Sequence, residues 1–208
     1  MLGVLFSGIQ AVLSVVAQLV PSIIKIVGAK LETFAKALEA FFKALGLIET
    51  NEQVEQIGDK ALQAESDEVS PLKVEDFDSH KKYLEALKER EIDPEKSALI
   101  PQDDKYHKGI EILLGMAIER YGEAMSNFSK IIVENPDIYN NSGRLIELGN
   151  IARNDKDSFD GIVNYLDGES TNTEKNDAAF DKLVDIEKSI NPEATEAEIW
   201  KAVSDMKR

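Results

Sequence analysis

The sequence predicts an all-α protein, and three observations carry that prediction. Apolar residues recur at three- and four-residue intervals through most of the chain, the spacing that lines one face of a helix. No segment pairs a sustained two-residue alternation with the β-branched enrichment of a strand. Helix start and stop signals, among them Asp93-Pro94-Glu95, Asn135-Pro136 and Thr195 with Glu198 three residues on, fall between the periodic stretches.

The first element is the most unusual. Residues 1–24 contain no ionisable side chain. Their polar groups, Ser7, Gln10, Ser14, Gln18 and Ser22, stand three and four apart and form one narrow stripe on a helix. Lys25, Glu32, Lys36, Glu39 and Lys43 continue the polar side, and Leu31, Phe34, Ala35, Leu38, Phe41, Phe42 and Leu45 supply the apolar one. One helix, or two joined at Pro21, is expected from about residue 3 to 45, with Gly46 as the stop. Twenty-four helical residues reach about 36 Å, enough to cross a bilayer core of about 30 Å. A transmembrane span, an amphipathic helix lying on or inserting into a membrane, and a helix in the core or at the seam of a homo-oligomer all fit the pattern. A cleavable secretory signal fits poorly, because the first positive side chain, Lys25, follows the apolar run instead of preceding it. If the run spans, the lysines after it place the C-terminal side in the cytoplasm.

Charge divides the chain at the same place. Residues 1–48 carry four lysines and two acids, a net of +2, whereas the remainder holds 20 of the 24 basic and 37 of the 39 acidic side chains, a net of −17. An acid excess of this size argues against nucleic acid as a partner. The expected organisation is therefore a hydrophobic N-terminal segment (1–48), a charged helical connector (49–104) and an acidic helical bundle (105–208).

Within the connector, Val54, Ile57, Ala61 and Leu62 share one helix face, and Tyr83, Leu84 and Leu87 mark a second helix within 77–89. Asp93 and Pro94 open a short third helix that Pro101 ends. The bundle begins with one long helix over 105–134, on which Ile110, Leu114, Ala117, Tyr121, Ala124, Phe128 and Ile131 form a broad apolar stripe. Shorter helices are expected over 142–153, 158–166 and 177–190, and a last one opens with the Thr195–Glu198 capping box. The sole tryptophan, Trp200, lies on its apolar face and is expected to lock it onto the core.

Catalytic and metal-binding patterns are weak. The chain has no cysteine and two histidines, His80 and His107. Neither histidine follows a glutamate at the three-residue spacing of a di-iron bundle. His107 and Glu111 share a helix face with Glu119 and Glu123 further along, but read more simply as a solvated face. The run from Asn154 to Gly161 resembles a calcium loop only at first glance: with Gly161 at loop position six, Lys156 falls where a carboxylate is required. Phosphate-loop, dinucleotide and nucleophile-elbow motifs are absent from the sequence. The two glycosylation sequons, at Asn127 and Asn140, read as coincidence.

The sequence thus points to a non-enzymatic structural or assembly protein without cofactor or metal. It would be membrane-associated or part of a large assembly, such as a pore, a secretion apparatus or a phage-like particle. Its partners would be membrane lipid or identical subunits, through residues 1–48. The residues expected to make that contact are Leu2, Val4, Leu5, Ile9, Val12, Leu13, Val16, Leu19, Val20, Ile23 and Ile24. The alternative is a soluble, cytoplasmic adaptor whose N-terminal helix folds into its own core.

Overall fold

Apolar spacing becomes structure in eleven α-helices among residues 8–168 and 170–207, the residues described by the computed structural model. They are α1 (Ile9–Ile23), α2 (Gly28–Ala44), α3 (Val54–Glu65), α4 (His80–Lys88), α5 (Pro94–Leu99), α6 (Gln102–Tyr121), α7 (Glu123–Glu134), α8 (Ser142–Asn154), α9 (Lys156–Leu166), α10 (Thr173–Ile190) and α11 (Glu196–Asp205). The fold is all-α, as the periodicity predicts.

Local chemistry sets most boundaries. Asp93 caps α5 by accepting from the N–H groups of Glu95 and Lys96. Thr195 and Glu198 close a reciprocal capping box at α11. At the end of α2 the Gly46 N–H donates to the Lys43 carbonyl and the Leu47 N–H to the Phe42 carbonyl, the paired bonds of a Schellman stop. The N-terminal segment forms two helices, and the turn between them lies beyond Pro21, which occupies the last turn of α1.

The expected single helix over 105–134 is broken at Gly122, whose φ of 78° and ψ of −147° suit only glycine. Tyr121, Ala124 and Phe128 keep helical spacing across the break, so periodicity alone passes straight through it.

Helix α6 is the hub. It packs against α1, α2, α3, α4 and α7, and is buried nearly all round from Gly109 to Ile118. Its closest neighbour is α3, where two glycines remove the side chains between the helices. A Cβ added to Gly58 would stand 1.8 Å from the Lys105 carbonyl oxygen, and one on Gly109 would stand 2.0 Å from that of Val54. Phe128 is a second hub: its ring lies 5.5 Å from Phe41, 5.4 Å from Phe159 and 5.9 Å from Tyr139. These contacts join α2, α7, α9 and the turn after α7. The Tyr139 hydroxyl donates to the Met206 carbonyl and ties the C-terminus to the same core. One apolar cluster runs from Ile9 to Met206 and takes in Val54, Ile57, Tyr83 and Leu87 from the charged connector.

Trp200 departs from expectation. Ile199, Val203 and Met206 are buried and seat α11, while Trp200 is 53% exposed and touches Phe180 edge-on at 6.3 Å. The last helix alternates its faces such that Ile199 and Val203, four apart, point inward and Trp200 stands about 100° away. Its fluorescence should therefore resemble water-exposed indole and be quenched readily by acrylamide. A blue-shifted, quencher-resistant emission would place the ring in the core instead.

Candidate functional site

The uncharged N-terminal helix serves two environments. Ile9, Val12, Val16, Leu19 and Ile23, spaced three and four apart, form one buried row on α6 and α7. Leu13 and Val20 are half-buried beside that row, and Ile24 is 54% exposed. Leu2, Val4 and Leu5 lie outside the described residues. Of the residues singled out in the sequence, five thus face the chain's own core, and Leu13, Val20 and Ile24 form a second row, packed against the core at Leu13 and open to water at Ile24. Ala17 is exposed between them, and Val27, 58% exposed, extends the row into the link between α1 and α2. Positions 13, 17 and 20 share one side of α1, whereas Val27 stands in extended backbone (φ −135°, ψ 158°) beyond the helix.

The link itself is held by two side chains one turn apart on α6. The Gly28 N–H donates to the Asp103 carboxylate at 3.0 Å, and the His107 ring N–H donates to the Ile26 carbonyl at 2.8 Å. Gly28 adopts φ of +60°, a conformation that glycine takes without strain. Sequence reasoning placed His107 on a solvated face and passed over Asp103, because the groups they satisfy lie more than seventy residues away. The corner exposes Pro21, Ile24, Lys25 and Val27; Lys30 just beyond pairs with Asp137 at 2.7 Å.

Polar side chains also gather at several places elsewhere in the fold. A groove of about 560 Å³ between α9 and α10 has Ser158, Asp160, Lys175 and Lys182 along it. Lys182 Nζ lies 2.5 Å from the Ser158 hydroxyl and 3.1 Å from Asp155. That ammonium is held by a carboxylate. Asp155 receives the Ser158 hydroxyl and N–H, and with Lys182 these bonds hold its pKa down at about 2. A carboxylate held so low is a weak base toward the serine hydroxyl. Asp155 caps the N-terminus of α9.

His80 is buried, with its Nδ1 2.7 Å from Glu119 and its Nε2 against Gly115, so the ring faces protein on both sides. Lys105 is buried beside Asp59 at 3.0 Å and Ser97 at 2.7 Å. Burial pushes the Asp59 carboxyl up, but hydrogen bonds from Ser97, Lys105 and Gln63 outweigh it and leave the group below its ordinary value. No three side chains among the described residues are grouped to hold a metal ion, and none of the helices there is long and apolar enough to cross a membrane. Set against known protein families, curated proteins and solved structures, the chain matches none.

Proposed function

We propose that this chain is a non-enzymatic assembly protein that associates with identical subunits through its N-terminal helix and the corner that follows it. One observation carries the reading: an acid-free apolar corner, exposed at Ile24 and Val27 and flanked by half-buried Val20, on a chain whose net charge is −15. With 37 of 39 acids beyond residue 48, two copies repel one another almost everywhere else. At this face no acids oppose one another, Lys25 being its charged side chain, and contact removes Ile24 and Val27 from water.

The buried row on the other side of α1 supports a second reading, a helical adaptor whose N-terminal helix belongs to its own core. The two readings differ in what Ile24 and Val27 do. Sedimentation velocity over a concentration series tests them. The expected result is a reversible dimer that the double substitution Ile24→Asp/Val27→Asp weakens roughly a hundredfold, since opposed like charges cost several kcal/mol. The melting temperature should barely change, because both side chains are exposed. A wild-type chain that stays monomeric and does not float with phosphatidylcholine vesicles favours the adaptor. A monomer that floats assigns the face to lipid.

A further inference from the structure

We propose that the groove between α9 and α10 binds a small zwitterion of the amino-acid class, with its carboxylate at Lys175 and its ammonium at Asp160. The proposal stands apart from self-association, because none of its residues belongs to the corner between α1 and α2.

Residue spacing builds the groove. On α9, Asp157, Asp160, Gly161 and Asn164 recur at three- and four-residue intervals and share one side; on α10, Lys175, Ala178, Ala179 and Lys182 do the same. Lys182 meets Asp155 and Ser158 at the start of α9, so the two helices run antiparallel, and Lys175 stands toward the end of α9 that carries Asn164. Between those ends the walls are nearly bare. A Cβ added to Gly161 meets nothing within 4 Å, and α10 contributes there only the methyl groups of Ala178 and Ala179. The space left, about 560 Å³, is that of a small-molecule site.

Charge is separated across this space, acids on α9 and lysines on α10. Lys182 is taken up by Asp155 and Ser158, whereas Asp157, Asp160 and Lys175 form no ion pair among the described residues. Asp160 is the least satisfied of the three, since its Oδ1 is enclosed by protein without a hydrogen-bond partner. Burial pushes its carboxyl up, Lys156 offsets part of that, and Asp157 and Glu123 add to the rise. A carboxylate so placed gains from a cation set beside it in the groove. A simple cation leaves Lys175 unmet, and a simple anion leaves Asp160 unmet. A molecule with both charges serves both, and the Asn164 amide is available to donate to its carboxylate. Asn164 and Asp160 stand one turn apart, about 6 Å along α9, and the flexible Lys175 side chain adjusts to the span of the ligand.

Titration of the common L-amino acids into the full-length chain, followed by amide chemical shifts, tests the site. At least one should shift residues 157–164 and 175–182 saturably, with a Kd of about 1 mM or below. Its carboxamide, which keeps only the ammonium, and its N-acetyl derivative, which keeps only the carboxylate, should each bind about tenfold more weakly. Lys175→Gln and Asp160→Asn should weaken the parent amino acid to the same extent. Gly161→Met fills the groove without changing a charge and should abolish the shifts, which keeps the test decisive if Asp160→Asn disturbs the fold. Absence of saturable binding by every amino acid overturns the proposal. Equal affinity for the carboxamide or the N-acetyl derivative also overturns it, by making the groove a site for a simple cation or anion. Binding that survives Gly161→Met overturns it by placing the ligand elsewhere on the chain.

Discussion

Gly109→Ala should lower the unfolding free energy by about 3 kcal/mol or more, near the upper end of what overpacking costs. The added Cβ would stand 2.0 Å from the Val54 carbonyl oxygen and 2.9 Å from the Val54 side chain. A flexible side chain can yield at such a distance, but the first obstacle is backbone. Helix α3 must therefore move, and it carries Val54, Ile57, Ala61 and Ala64 out of the core with it. Alanine's better helix propensity returns only about 1 kcal/mol, so the clash wins. Gly161→Ala is the matched control. Gly161 is also helical, with nothing within 4 Å of its would-be Cβ, so there the propensity gain should appear alone. Urea denaturation of both variants checks the pair. Equal stabilisation of the two would mean that α3 and α6 do not approach as closely as described.

That contact shows what the sequence displays and what it hides. Asp93-Pro94, the Thr195–Glu198 box and the stop at Gly46 are legible because each signal and the group it satisfies lie within a few residues. Gly58 and Gly109 are far apart in sequence, and each alone reads as a weak point in a helix. The break at Gly122 is masked for a different reason, since the apolar rhythm resumes in phase after it. The candidate site was half legible. Residues 1–24 plainly carry more apolar surface than one face needs. Which row turns inward depends on where α6 and α7 lie, and they are about a hundred residues away. Trp200 teaches the same lesson: its apolar neighbours Ile199 and Val203 enter the core, and the largest side chain of the helix stays at its edge.

Glu187→Ala should be the most damaging single change in the C-terminal half, at about 3–5 kcal/mol. Glu187 is 1% exposed on α10, and its carboxylate accepts from Arg144 of α8 through two nitrogens, at 2.6 Å and 3.0 Å. Arg144 also donates to the Ile138 carbonyl, so one guanidinium ties α8, α10 and the turn after α7 together. Two effects of removing the acid oppose each other. On a chain of net charge −15, losing one negative charge relieves repulsion. For scattered surface charges that relief is only a few tenths of a kcal/mol, in keeping with the small worth of exposed pairs. Leaving the buried Arg144 without its counter-ion costs far more, and this decides the sign. The pair need not be stabilising as a whole, because burying both ions carries its own desolvation penalty. Arg144→Met/Glu187→Leu should therefore recover most of the loss, within about 1–2 kcal/mol of the wild type, while Arg144→Met alone falls between. Chemical denaturation of the three variants tests this ordering. If the double variant is no more stable than Glu187→Ala, uncompensated charge is not the cause, and the bidentate shape of the pair, rather than its charge balance, holds α8 to α10.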